Sequence, residues 1–177
     1  YQGENSTNFG KIRLQSRVHS SDHIMTTVED LVLGSSENDI WEIGEGAEIN
    51  FQENKLKCSH FSVVNQQQEL KLNGIVGPNE TDELSISLSE FDLSNFGDLT
   101  YNEESEVQLN GVINLDLSLK SILNNIEFTG SVIVNQLILN DIQIGDLTFK
   151  SDWQGMDNRF VIEGGLRNED RLSLIHI

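Results

Sequence analysis

The chain has 177 residues, with 29 Asp and Glu against 11 Lys and Arg, and a formal charge of -18. A field of that sign repels phosphate polymers and argues against nucleic acid as a partner, while a single cysteine, Cys58, excludes an internal disulfide and a thiolate zinc cage. Leu, Ile, Val and Phe supply 57 residues, enough for a fold, and one alanine, Ala47, is too few for a helical protein, so the expected class is all-β.

Residues 1–40 are expected to be irregular strands. Ile12 and Leu14 alternate with Lys11 and Arg13, and Thr26 to Leu33 has strand character, but Ser20, Ser21, Ser35 and Ser36 interrupt the pattern. Strand character returns from Ile40 to Phe51, with Ile49 and Phe51 in phase. Leu70, Leu72, Gly74 and Val76 then alternate with polar residues, as do Leu84, Ile86 and Leu88 with Ser85, Ser87 and Ser89. The longest run spans Val107 to Leu119, where Leu109, Ile113, Leu115 and Leu117 share one parity. Ile126, Phe128, Gly130, Val132 and Val134 follow the same rule, then Leu147, Phe149 and Trp153, and finally Phe160, Ile162 and Leu166. A period of two means strands with one apolar and one wet face.

Turn compositions separate these runs at Gly77 to Asp82, Asn102 to Glu106, Asn124 to Asn125 and Gly155 to Asn158. Short connections without intervening helical patterns predict an antiparallel meander; Ser118 to Asn125 is the one segment with a possible helical turn. A weak repeat places a glycine on the apolar parity at Gly74, Gly111, Gly130 and Gly164, which predicts a curved sheet. The chain opens at Tyr1 without a leader or an apolar stretch long enough to cross a bilayer, so any targeting or anchoring segment is expected outside it. Residues 172–177 (LSLIHI) match the translated mosaic-end DNA of transposase-based sequencing libraries, so the natural sequence is expected to stop near Arg171 and His176 to carry no chemistry.

The apolar faces fit two geometries. One is a sandwich in which a second sheet covers them; the other is an open elongated groove lined by aliphatic residues and filled by hydrocarbon. The candidate lining is Leu70, Leu72, Leu84, Ile86, Leu88, Leu109, Ile113, Leu115, Leu117, Phe128, Val132, Val134, Leu147, Phe149, Trp153, Phe160 and Ile162.

Chemical motifs are weak. His19 and His23 have a zinc-like spacing in a Ser-rich segment without helical character, and are read as a solvated loop. Cys58 and His60 would share a strand face but lack an orienting third group, so Cys58 is read as a half-buried strand residue. Asp152, Asp157 and Asn158 around Gly155 lack the ligand order of a calcium loop, and Gly44-Glu-Gly46 lacks the Lys of a phosphate loop. Asn5-Ser-Thr7 and Asn79-Glu-Thr81 match glycosylation acceptors that matter only in a eukaryotic secretory route. No metal, cofactor or catalytic residue is expected.

Several segments, taken in order, resemble the repeating body of the TamB family of translocation and assembly module proteins in its Bacteroidetes-type form. They are Trp41 to Ile43, Glu48 to Phe51, Phe61 to Asn65, LKLNGIVG from Leu70, LSISLSEFDLSNFGDL from Leu84, LNGVINLDLSL from Leu109, and LILNDIQIGDLTFK from Leu137 followed by Ser151-Asp-Trp153. The likeness covers roughly residues 41 to 168, and the segment 41–171 is expected to be a β-taco with a hydrophobic interior. The resemblance implies a periplasmic part of an inner-membrane-anchored protein of a Gram-negative bacterium. Such a protein conducts phospholipid acyl chains between membranes or assists outer-membrane protein assembly, and meets an Omp85-type barrel through regions not present here. The alternatives are a β-sandwich or β-solenoid binding module or adhesin without lipid transport, and a carbohydrate-active β-helix enzyme. The last needs paired carboxylates, and Asp116 and Glu127 fall on the wet parity.

Overall fold

The computed structural model describes residues 9–36, 39–96, 108–154, 159–168 and 171–176. The expected turns at Asn102 to Glu106 and Gly155 to Asn158, Val107, Gly97 to Leu99, Asn5 to Thr7, Asp157 and Asn158 lie outside the described residues.

The strands are β1 (Phe9–Ser20), β2 (His23–Ser36), β3 (Asp39–Ile43), β4 (Glu48–Gln52), β5 (Lys55–Asn65), β6 (Gln68–Val76), β7 (Glu83–Asp92), β8 (Leu109–Lys120), β9 (Glu127–Leu139), β10 (Ile142–Gln154), β11 (Arg159–Asn168) and β12 (Arg171–His176). They form one sheet in the order β1-β2-β3-β5-β6-β7-β8-β9-β10-β11-β12, with β4 pairing β2 and β5. The all-β antiparallel meander read from the sequence is therefore the fold. A single 3-10 turn at Leu93–Phe96 is the only helical element among the described residues, and no helix there is long and apolar enough to cross a membrane. The possible helical turn at Ser118 to Asn125 is absent: β8 runs on to Lys120, and a bend follows in which the Asn124 N–H donates to the Ser121 carbonyl.

The chain divides into two compact units, Tyr1–Ser85 with Lys120–Ile126, and Ile86–Leu119 with Glu127–Ile177. In the first, β3 and β4 are two halves of one interrupted strand position. Both lie between β2 and β5, β3 against Val32 to Ser36 and β4 against His23 to Thr27. The interruption is the Gly44-to-Ala47 turn, where Gly46 takes φ +78°, open only to glycine at low cost. Its ends are fixed by the Gly44 N–H donating to the Ser62 carbonyl and the Val28 N–H donating to that of Ala47, which is fully buried.

The proline-containing turn of the same unit is bound from two sides. Asp82, buried, accepts from Lys55 Nζ at 3.0 Å and from the Asn79 N–H at 3.0 Å. From the bend after β8, Asn124 Nδ2 donates to the Pro78 carbonyl and Ser121 Oγ to that of Glu80. Elsewhere tight two-residue turns join the strands: Glu53-Asn54 and Asn140-Asp141 all have positive φ, the backbone of the hairpin turn whose twist matches its strands.

In the second unit, β9 to β12 pair in sequence. The β9–β10 ladder contains a bulge, with Leu147 opposite Val134 but Gly145 opposite Leu137. The bulged Gln136 has φ +52° and its N–H donates to Asp146 Oδ1 at 2.9 Å. Glu90 on β7 has the same backbone twist (φ +51°), and its N–H donates to Asn114 Oδ1 of β8 at 3.0 Å. In the first unit His60 (φ +52°) sits in the bulge where β5 skips from Cys58 to Phe61 against β6.

Candidate functional site

Residues directly opposite one another on neighbouring strands point to the same side of a sheet, so the ladder pairs fix which side chains share a face. In the second unit Val132 lies opposite Phe149 and Val134 opposite Leu147. Across the next ladder Leu147 meets Leu166, Trp153 meets Phe160, and Ser151 meets Ile162. These residues make one apolar patch. Leu117 of β8 joins it, since its Cδ1 lies 3.1 Å from where a Cβ on Gly130 would stand, and Ile113 and Leu115 follow by alternation. Leu109 keeps that parity beyond Gly111. Phe128 stacks on Phe160 with ring centroids 4.3 Å apart, and Trp153 tilts against the same ring at 4.5 Å.

The first unit has the same construction. Leu70 and Leu72 face Val63 and Phe61 on β5. Through β5 the face continues to Ile43, Ile49 and Phe51, and through β2 and β3 to Ile24, Val28, Leu33 and Trp41. Leu14 and Ile12 of β1, opposite Val28 and Leu31, complete it. On β7, Leu84 of the first unit and Ile86 and Leu88 of the second alternate along one side of the strand, half-buried.

Seventeen candidates read from the sequence thus lie on strands, and those of β9 to β11 come together on one face. The members missed are chiefly Phe61, Val63, Leu33 and Trp41 of the first unit and Leu166 of the second. Two apolar runs offset by one residue, such as Leu56 and Cys58 followed by Phe61 and Val63, were the available signal.

Most residues of this face are half-buried. Among the described residues only six apolar side chains are buried, and no large side chain is fully buried. Phe149 is 42% exposed, Ile162 39% and Leu14 52%. All twelve strands belong to one sheet order, so no separate second sheet is present among them. Room on the face is set in part by glycine: at Gly164 a Cβ would stand 3.0 Å from the ring of Phe149. The opposite face is polar, with Arg13, Asp30, Lys57, Ser62, Glu69 and Lys71 in the first unit, and Ser131, Lys150 and Glu163 in the second.

The candidates with chemical potential among the described residues lie apart from one another, the two histidines excepted. His19 and His23 stack with ring centroids 4.6 Å apart beside the β1–β2 turn, on strands and not in a solvated loop as expected, and no cluster of three metal-binding side chains occurs among the described residues. The expectation that Cys58 and His60 share a face fails because the bulge between them breaks the alternation. Cys58 is buried opposite Ile49 and Gly74, and desolvation pushes its thiol above the ordinary range. Asp152 sits on the polar side of β10 opposite Val161, and Asp116 is exposed.

Comparison with protein-family models, with curated proteins and with solved structures gives no match.

Proposed function

We propose that this chain is a lipid-conducting segment of a TamB-like protein: a β-groove whose apolar face is filled by phospholipid acyl chains moving between the inner and outer membranes of a Gram-negative bacterium. The observation that supports this reading best is the ladder-matched apolar face, half-buried with Phe149 and Ile162 exposed, in strands that all belong to one sheet order. Sequence likeness from Trp41 to about Asn168 adds to it. Exposing an acyl chain to water costs about 0.8 kcal/mol per CH2, and an apolar strip removes that penalty along its length. No chemical step is required, and the charged polar side keeps the sheet hydrated. Head groups would remain in water, so no fixed cationic site is needed. Contact with an Omp85-type barrel would involve regions outside this sequence.

The test is photo-crosslinking from Leu115 and Val132, with Asp116 and Ser131 of the polar side as controls, in the chain incubated with phosphatidylethanolamine vesicles. Phospholipid adducts confined to Leu115 and Val132 support the groove; equal labelling at all four positions refutes it. Leu115→Arg should abolish the adduct at Val132 while leaving the circular dichroism of the sheet unchanged. Unfolding by that substitution would instead mark the position as part of a sealed core, as in a β-sandwich binding module.

A further inference from the structure

The β1–β2 connection brings two imidazoles together. Ser20 pairs with His23 across the turn Ser21-Asp22, and Val18 pairs with Ile24, so β1 holds one residue more than β2 there and His19 is the extra one. A bulge of this kind re-aims a side chain. Here the His19 ring lies on the ring of His23, with centroids 4.6 Å apart and planes 29° from parallel.

The turn is braced on its other flank. Gln52 of β4 lies directly opposite His23, and the Glu53 N–H donates to the Asp22 carbonyl at 3.3 Å. Within the turn the Ser20 hydroxyl donates to Asp22 Oδ1 at 2.5 Å. That bond foremost, with His23 as a lesser contributor, holds the Asp22 carboxyl below the usual range. A carboxylate is thus fixed near the pair, in a chain of net charge -18 whose field gathers cations.

The spacing of the rings suits a metal ion. A first-row divalent ion stands about 2.0–2.1 Å from an imidazole nitrogen and so about 3.2 Å from the ring centre, which puts two such centres about 4.5–5.2 Å apart for ligand angles of about 90–110°. The observed 4.6 Å falls within that range. Swinging the rings until a nitrogen of each meets the ion therefore needs no change in the spacing of β1 and β2.

We infer that His19 and His23 form a two-imidazole site for a divalent ion of the zinc, nickel or copper type, which clips β1 to β2 at their turn with water in the remaining positions. Imidazole selects such ions over magnesium, which the carboxylates of an acidic surface would take instead.

The whole chain is titrated with zinc chloride at pH 7.5, with magnesium chloride as the control, and followed by calorimetry and by the imidazole ring resonances. One zinc per chain with a Kd of about 10 μM is expected, with ring shifts at His19 and His23 and none at His60 or His176. His19→Gln and His23→Gln should each weaken zinc about tenfold or more, whereas His60→Gln should leave its affinity unchanged. Zinc should also slow amide exchange from Val18 to Ile24. Ring shifts at His60 or His176 in place of the pair, equal binding of magnesium, full affinity in either variant at the turn, or no binding below about 1 mM zinc would each overturn the inference. The ring shifts are read on the unaltered chain, so a variant that fails to fold does not blunt the test. None of these readouts involves lipid adducts at Leu115 or Val132, so the metal clip and the groove fail or stand separately.

Discussion

Gly145→Ala should be among the most damaging substitutions in the second unit, and Gly46→Ala a mild one in the first. Both glycines have positive φ, +111° and +78°, so each variant bears backbone strain of about 1–2 kcal/mol. Their surroundings differ. A Cβ at Gly46 meets nothing within 4 Å, whereas at Gly145 it would stand 2.1 Å from the Arg167 carbonyl oxygen and 3.0 Å from the Asn168 Cα. Restoring an ordinary contact of 3.4 Å requires β10 and β11 to separate by about 1.3 Å there. Ladder bonds near 2.9 Å then pass beyond hydrogen-bonding range. Losing two or three of them, at about 0.5–1.5 kcal/mol each, brings the expected cost for Gly145→Ala to roughly 3–5 kcal/mol, against about 1–2 for Gly46→Ala. Urea unfolding followed by tryptophan fluorescence measures both. Trp41 reports on the first unit in a Trp153→Phe background, and Trp153 on the second in a Trp41→Phe background. Equal shifts for the two variants would show that the carbonyl of β11 is not pressed against Gly145.

Asp82→Asn should lower the urea midpoint of the first unit at pH 7. The Lys55 hydrogen bond, foremost, and the Asn79 N–H hold the Asp82 carboxyl below the usual range, so its stabilisation is present above an unfolded value of about 4 and is lost as pH falls through the lowered one. The gap between variant and parent should therefore close on acidification, and a gap independent of pH would refute the assignment. Cys58 should resist a disulfide reagent in the folded chain and react on unfolding, because burial both shields the thiol and raises its pKa; rapid labelling at pH 7 would contradict its placement. Asp146→Ala should cost about 0.5–1.5 kcal/mol by freeing the exposed Gln136 N–H, and Gln136→Gly should be neutral or stabilising by up to about 1 kcal/mol at its positive φ. Chemical denaturation of the two variants checks both signs.

The strands legible in the sequence are those whose parity never changes. β6, the first part of β7, β8 and β11 keep apolar residues two apart from end to end, and each was found within a few residues of its bounds. β5 was not found as a single strand. Leu56 and Cys58 are on even positions and Phe61 and Val63 on odd ones, and only the bulge at Ser59-His60 reveals that all four face one way. β2 was obscured in the same manner, since Val28 and Leu31 flank the irregularity at Glu29-Asp30. Nor did the glycine repeat behave uniformly. Gly74 and Gly111 have φ +131° and +138°, but Gly130 and Gly164 are ordinary strand residues, and the third strand glycine of that kind is Gly145, which the repeat had passed over. Turns built from Glu53-Asn54 and Asn140-Asp141 were missed because neither contains the glycine or proline that marks a turn most strongly.

The bulges also bear on what the apolar face is. At Val28 to Leu31, Cys58 to Phe61 and Val134 to Leu137 the apolar spacing changes from two to three where the ladder gains a residue, and Leu88 to Phe91 shows the same spacing beside Glu90. The first three of these sites begin thirty residues apart, at Val28, Cys58 and Leu88. His60, Glu90 and Gln136 each hold a positive φ that a side chain disfavours by roughly 1–2 kcal/mol. A sequence indifferent to the direction of its side chains would not shift its hydrophobic phase at each such site. At these four sites the shift keeps one side of the strand apolar, a side whose residues are mostly half-buried. A consistent apolar side of this kind is what the acyl-chain groove proposed above requires.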